Sequence, residues 1–326
     1  MKKSLKRTIG MVMTLGMVLG AAPGAWAEEN STEAAGDKGI IYVITASYAT
    51  PMFETEARIA TETAEALGYT VKAVSHDDDL TVQAQIIDTA IADGAKGILL
   101  DNAGAEGSVE AVQKAKDAGI PTVAIDRELS QDGVAIAQFV SNNYQGASGV
   151  AEVFVEAMGE EGEYAELLGK ETETACTVRS QGFHDVIDQY EDLVMVAQET
   201  ANWEQTTAYD KMETILQAHP DIKGVICGND PMALGAAAAC KAAGKEGVVI
   251  ISVDGSDEAR DAILAGDMTA TAMQQAAYQA QLGIETIDHY LETGETGYDE
   301  EKQLVDCITI TAENAENLSQ FVYTEE

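Results

Sequence analysis

Asp126 and Arg127 stand side by side where the run PTVAID ends, so one short peptide presents carboxylate acceptors beside a planar guanidinium fork. That pair suits vicinal hydroxyls, each of which is donor and acceptor at once. A surface salt bridge would use the same two residues. Repetition favours binding: Asn229 follows KGVICG and Asp254 ends GVVIISVD, so polar side chains recur where apolar runs stop. Asp230 before Pro231 also reads as a helix cap, with Asn229 left to face a cleft, and Asp254 before Gly255 reads as a turn or cap. Trp203 lies in the polar stretch TANWEQ, where its flat face can stack on the C–H face of a hydroxylated ring; a core tryptophan is the alternative. Met52 and Phe53, after Thr50-Pro51, offer an opposing apolar wall or simple packing at the start of a helix.

Other chemistries find less support. His76-Asp77-Asp78-Asp79 has the composition of a metal loop, but no second His or Cys cluster lies near it, and it reads as a solvated acidic loop. His184, His219 and His289 are scattered, with His219 at a capping position before Pro220. No G-x-G-x-x-G, Walker motif or strand-turn nucleophile is present, so no cofactor or metal is expected. Cys176, Cys227, Cys240 and Cys307 are far apart; the last three sit in apolar runs, and no spacing selects a disulfide.

The elements that must position these residues follow a regular grammar. Apolar runs at 39–46, 69–74, 96–101 and 121–126 alternate with helical stretches at 52–67, 82–93 and 107–118. Near-continuous apolar strands between amphipathic helices imply a parallel sheet covered on both faces. A strand at 134–140 ends in Ser141-Asn142-Asn143, and the grammar restarts. Runs at 163–169, 192–198, 223–228 and 247–254 interleave with helices near 144–158, 178–190, 204–218, 231–243 and 256–265. A helix at 275–292 and a strand at 303–310 remain. The fold class is therefore α/β, as two doubly wound parallel-sheet lobes. Ligands of such sheets bind beyond the carboxyl ends of strands, where Asp126, Asn229, Asp254 and Gln274 fall.

The chain ends and the charge narrow the class further. Lys2, Lys3, Lys6 and Arg7, an uncharged stretch to Ala22 and Ala25-Trp26-Ala27 form a signal-peptide pattern over 1–27, with cleavage after Ala27 and a polar, unstructured lead-in over 28–38. Export to a periplasm follows, and no Cys after the cleavage site invites a lipid anchor. Of 19 Lys+Arg, removing those four leaves 15 against 56 Asp+Glu, a net of −41. So acidic a surface repels nucleic acid and anionic membrane.

Over about 39–310 the chain resembles the ribose-binding type of periplasmic sugar-binding protein (the type I periplasmic binding protein fold). The resemblance rests on Thr50-Pro51-Met52-Phe53, AGIPTVAIDR (118–127), SNN (141–143), RSQGF (179–183), AHPDIKGVICGNDPMALGA (218–236), SVDGSDEARDAI (252–263) and MTATAMQQ (268–275). It implies a monomeric two-lobed clamp with a three-segment hinge near Asn142, Met273 and Asp306. The first lobe would hold 39–141 and 274–304, the second 142–273 and 305–323. By position it carries ligand contacts onto Thr50, Met52, Phe53, Asp126, Arg127, Trp203, Asn229, Asp254 and Gln274. The family's asparagine before the proline is Thr50 here. A second-lobe arginine falls at Thr177, two residues before Arg179, so the resemblance implies a lobe lacking that fork. This points away from ribose towards another pentose, a hexose or a polyol, with Glu171 and Glu173 as added acceptors. The implied function is capture of that solute for an ABC permease in the inner membrane. A sensor presenting ligand to a receptor is the alternative. A sugar-active enzyme would need Asp126 and Asp254 as a catalytic pair.

Overall fold

In the computed structural model, which describes residues 38–324, the valine- and isoleucine-rich runs are strands and the amphipathic stretches are the helices between them. The first half runs β1 (Ile40–Thr45), α1 (Pro51–Ala66), β2 (Thr70–Ser75), α2 (Leu80–Ala92), β3 (Gly97–Asp101), α3 (Val109–Asp117), β4 (Thr122–Asp126) and β5 (Ala137–Ser141). The second runs α4 (Asn143–Met158), β6 (Gly162–Leu168), α5 (Thr174–Ile187), β7 (Leu193–Thr200), α6 (Gln205–Ala218), β8 (Gly224–Cys227), α7 (Asp230–Ala242), β9 (Val249–Asp254), α8 (Asp257–Ala265) and β10 (Ala270–Met273). Then come α9 (Ala276–Thr293), β11 (Lys302–Val305), β12 (Ile308–Thr311) and a hairpin of β13 (Leu318–Ser319) and β14 (Val322–Tyr323). The signal-peptide region and most of the lead-in lie outside the described residues.

Two six-stranded sheets share one topology. Their orders are β11-β5-β4-β3-β1-β2 and β12-β10-β9-β8-β6-β7. Pairing is parallel except between β10 and β12. In the first sheet Val43, Leu99, Val123 and Ile125 pack on α1 and α9, while Ile44, Ile98 and Leu100 pack on α2 and α3. In the second, one face is covered by α4 and α5 and the other by α6, α7 and α8. Each fully buried Ile, Leu or Val of these layers contributes about 1.5–3 kcal/mol. Both faces being covered explains why the central strands lack polar alternation.

The chain passes between sheets three times: from β5 into α4, from β10 into α9 and from β11 into β12. Asn142, Met273 and Asp306 stand at these passages. They are bonded to one another's segments: Asn142 Nδ2 donates to Asp306 Oδ1 at 2.8 Å, Asn142 N to Val305 O at 2.8 Å, and Gln275 Nε2 to Asp306 O at 2.9 Å. The segments also lie close, since a Cβ on Gly146 of α4 would fall 2.8 Å from the Cys307 side chain.

Several expectations are corrected. The single strand at 303–310 is two strands in different sheets, split at Asp306-Cys307. Val305, assigned to the second lobe, pairs with Ser141 in the first sheet. The hairpin of β13 and β14, also assigned to the second lobe, packs against both α8 and α9, and its Phe321 is buried with Met52, Phe53 and Ala276. Lys38, the last residue of the lead-in, is anchored by Asp288 at 2.7 Å and Glu292 at 3.2 Å. All four cysteines are buried free thiols.

Candidate ligand-binding site

Arg127 is the centre of the first lobe's array. Nη1 donates to Asp78 Oδ1 at 2.7 Å and to Asn102 O at 3.1 Å, while Nε lies 3.6 Å from Asp101 and 3.8 Å from Asp126. The guanidinium sits over the Phe53 ring, 5.2 Å from its centroid. Burial works against the charge of Arg127, but Asp101 and Asp126 outweigh it and the group stays charged. Asp126 closes β4 in a left-handed turn, φ 57°, where its N–H donates to Gln279 Oε1 at 3.1 Å. Burial raises its pKa and Arg127 opposes the rise.

A second array stands at the strand ends of the other lobe. Arg179 on α5 is buried; Nε donates to Asn143 Oδ1 at 2.7 Å, and Nη1 to Gly228 O at 2.8 Å and Asp254 Oδ1 at 3.3 Å. Its guanidinium lies over Trp203, 5.5 Å from the ring centroid. Gln274 Nε2 donates to Asp254 Oδ1 at 2.8 Å and lies 3.8 Å from Met52 Sδ, while its buried Oε1 has no partner. Burial pushes the Asp254 carboxyl up to about 7 against the pull of Arg179. Gln274, bonded to Asp254, also reaches Met52 of the first array, so the two arrays lie close to each other.

Trp203 is held by an unusual backbone. Asn202 and Trp203 follow β7 with φ of 55° and 68°, a left-handed pair rare for such side chains. The indole Nε1 donates to Glu173 Oε2 at 2.9 Å. The ring lies against the backbone of Gly169, where an added Cβ would come within 2.1 Å of it. The same two-residue turn follows β2, the matching strand of the first sheet: Asp77 and Asp78 have φ of 49° and 59°. Asp78 thus holds in one lobe the place that Trp203 holds in the other.

Set against the sequence, the structure gathers Met52, Phe53, Asp126, Arg127, Trp203, Asn229, Asp254 and Gln274 at the facing strand ends. Thr50 is exposed, and its hydroxyl makes no capping bond. Thr177 is exposed, and the arginine expected to be missing from the second lobe is supplied by Arg179. Two residues along a helix differ by about 200° of rotation, so the two cannot share an orientation. Asn229, not Asp230, caps α7, accepting from Met232 N at 3.1 Å. Asp230 is a buried hub for Ser252, Thr271 and Ser256. The acidic loop is not simply solvated: His76 is fully buried, its Nε2 2.7 Å from Asp101 O, and Asp78 pairs with Arg127. Asp78 and Arg179 join this candidate site and were missed by sequence reasoning; the RSQGF motif, which Arg179 opens, was the available signal for it.

Two parallel-sheet lobes with guanidinium–carboxylate–aromatic arrays at facing strand ends have the build of a solute-binding clamp. The chain belongs to the periplasmic binding protein family, whose domain profile matches residues 41–296. It is 55% identical over 292 residues to a D-apiose import binding protein of Actinobacillus succinogenes, covering 89% of this chain and 94% of that one. A D-apiose import binding protein of Paraburkholderia graminis is 52% identical, covering 86% and 90%. Among solved structures, an ABC transporter periplasmic solute-binding protein from Actinobacillus succinogenes with bound D-allose superposes with a TM-score of 0.80 at 25% identity, covering 86% of this chain and all of that one.

Proposed function

We propose that this protein captures D-apiose, or a monosaccharide or polyol of similar size, between its lobes and delivers it to an ABC permease in the inner membrane. The observation that carries the reading is the facing pair of arrays, Asp126-Arg127-Phe53 and Asp254-Arg179-Trp203. Each offers hydroxyl acceptors, a donor fork and an apolar face. The identity above 50% to two D-apiose import binding proteins supports that sugar among the candidates. A closed clamp makes both sets of contacts and an open one makes half, so ligand shifts the balance towards closure about Asn142, Met273 and Asp306. The proposal places the mature, monomeric chain in the periplasm after cleavage behind Ala27. It includes no turnover: Asp126 and Asp254 are each engaged by an arginine as hydroxyl acceptors.

A thermal-shift panel of D-apiose, D-ribose, D-allose, myo-inositol and xylitol tests the reading. A ligand at 100 times its Kd stabilises by about 2.7 kcal/mol, which the assay resolves easily. D-apiose is expected to give the largest shift and to be recovered unchanged. No shift with any sugar would overturn the capture reading, and a chemically altered sugar would overturn the absence of catalysis.

A further inference from the structure

The first lobe buries more acid than the proposed contacts use. Glu56, on α1 one turn beyond Met52 and Phe53, has no solvent exposure, and neither of its carboxyl oxygens has a hydrogen-bond partner. Asp101, at the end of β3, is equally buried; the Ala46 N–H and Arg127 Nε, the latter at 3.6 Å, approach it without closing a well-formed hydrogen bond. Thr45 follows Ile44, the register partner of Leu100, and so lies beside Asp101; its buried hydroxyl is approached by Tyr48. Alternation along the strands puts Thr45 and Asp101 on the face that packs against α1. Two buried carboxyls without a well-formed hydrogen bond, Glu56 and Asp101, therefore lie within the electrostatic reach of Arg127.

The surrounding charges do not balance. Arg127 faces Asp101, Asp126 and Asp78; from the other lobe Lys170 reaches Asp78, and Arg179 and Glu173 act on Asp126 with opposite sign. His76 adds no cation: its Nδ1 accepts from Asp78 N, which leaves Nε2–H to donate to Asp101 O, a neutral ring. Glu56 is a further carboxyl with no donor of any kind. A buried carboxylate without donors is among the costliest groups in a protein interior, and such groups remain neutral instead. Burial raises Glu56 well above the usual carboxylate range, and Asp101 adds to it.

We propose that Glu56 and Asp101 retain one proton between them at neutral pH and together act as positioning residues for Arg127, keeping its fork directed at the ligand. With the proton in place Glu56 and Asp101 together carry one negative charge instead of two. Without it, two carboxylates draw the guanidinium inward, and closure over a sugar must bury the extra charge. Sugar affinity therefore falls as alkali removes the proton. This role rests on the capture reading only for the affinity measurements that follow.

Two measurements on the full mature chain test it. Infrared spectra of ligand-free parent minus Glu56→Gln, taken at about pH 8, are expected to show a protonated-carboxyl band, because a shared buried proton outlasts ordinary carboxylate titration. Calorimetric titration with D-apiose is expected to give a parent Kd that rises at least about tenfold between about pH 7 and about pH 9, while Glu56→Gln stays within about threefold of its neutral value. Asp254 titrates in both proteins and cancels in the comparison. Asp101→Asn, expected to flatten the profile likewise, serves if Glu56→Gln fails to fold. Absence of the band, or a variant profile that follows the parent's rise, overturns the proposal. If D-apiose binds neither protein, the infrared spectra still decide the shared proton, and only the capture reading falls.

Discussion

Replacing Arg179 by methionine keeps the length of the side chain and removes every polar contact it makes. Asn143 Oδ1 and Gly228 O lose the guanidinium donor in a region where Arg179 is buried, and Asp254 Oδ1 keeps only Gln274 Nε2. A hydrogen bond from a charged donor contributes about 1.5–3 kcal/mol, so losing the bonds to Asn143 and Gly228 costs about 3 kcal/mol at any pH. The Asp254 contact adds a part that depends on pH. Burial holds the Asp254 carboxyl at about 7 with Arg179 opposing the rise. Below about pH 7 this aspartate is protonated in parent and variant alike, and the arginine gives it nothing. Above pH 7 the parent holds an ionised, paired Asp254, whereas the variant must keep the proton. The gap between them widens by up to about 1.4 kcal/mol per pH unit until the variant's own titration point. Urea unfolding should therefore show a loss of about 3 kcal/mol near pH 6 and visibly more near pH 8, within the 5–15 kcal/mol that a typical domain has in hand. Sugar affinity should drop at least about 100-fold, equal to about 2.7 kcal/mol, because Trp203 also loses the cation stacked on it. Arg179→Lys, which restores charge without the fork, should recover less than half of that loss. A methionine variant that unfolds within about 0.5 kcal/mol of the parent at both pH values, or binds sugar within about threefold, would refute the assignment of Arg179 as a structural and binding centre.

Two further outcomes follow from packing and charge. Gly169→Ala places a methyl where the Trp203 ring now lies, so the ring must move; sugar affinity is expected to fall at least about tenfold with a stability loss of about 1–3 kcal/mol, read by calorimetry and urea titration. His184 is held by Glu166, which raises its pKa to about 9 from 6.5; stability from this pair is complete below about pH 6.5 and is lost as pH rises through about 9, a change of up to about 3 kcal/mol that His184→Gln should abolish in a pH series of unfolding curves.

The alternation of elements was legible because burial on both faces of a parallel sheet leaves a strong apolar signature, as in GILLD and TVAID. Asp126 and Arg127 were legible because they stand where such a run ends. The resemblance placed the second-lobe arginine at Thr177, and a guanidinium two residues along, at Arg179, reaches Asp254 instead, which position in the motif does not reveal. The acidic loop at 76–79 was misread because its composition speaks for solvent, while its strained turn, φ 49° and 59° at Asp77 and Asp78, aims one side chain at Arg127. Glu56 gave no signal: a glutamate inside a helix is ordinary, and only its complete burial without a hydrogen-bond partner makes it unusual. The split of 303–310 between two sheets was hidden because one continuous apolar pattern serves both strands.

The threading of the first lobe has a consequence for how the polypeptide is born. Leu99, Val123 and Ile125 are covered by Ala280, Ile284 and Ile287 of α9, and the sheet's last strand, β11, arrives later still. A chain emerging from its N-terminus cannot finish this core until nearly all of it is available. By then the whole second sheet except β12 has already been made. Synthesis order and completion order are thus inverted, and folding waits on contacts of long sequence separation, which slows it. A nascent chain of this design stays unfinished and threadable until its last segments appear.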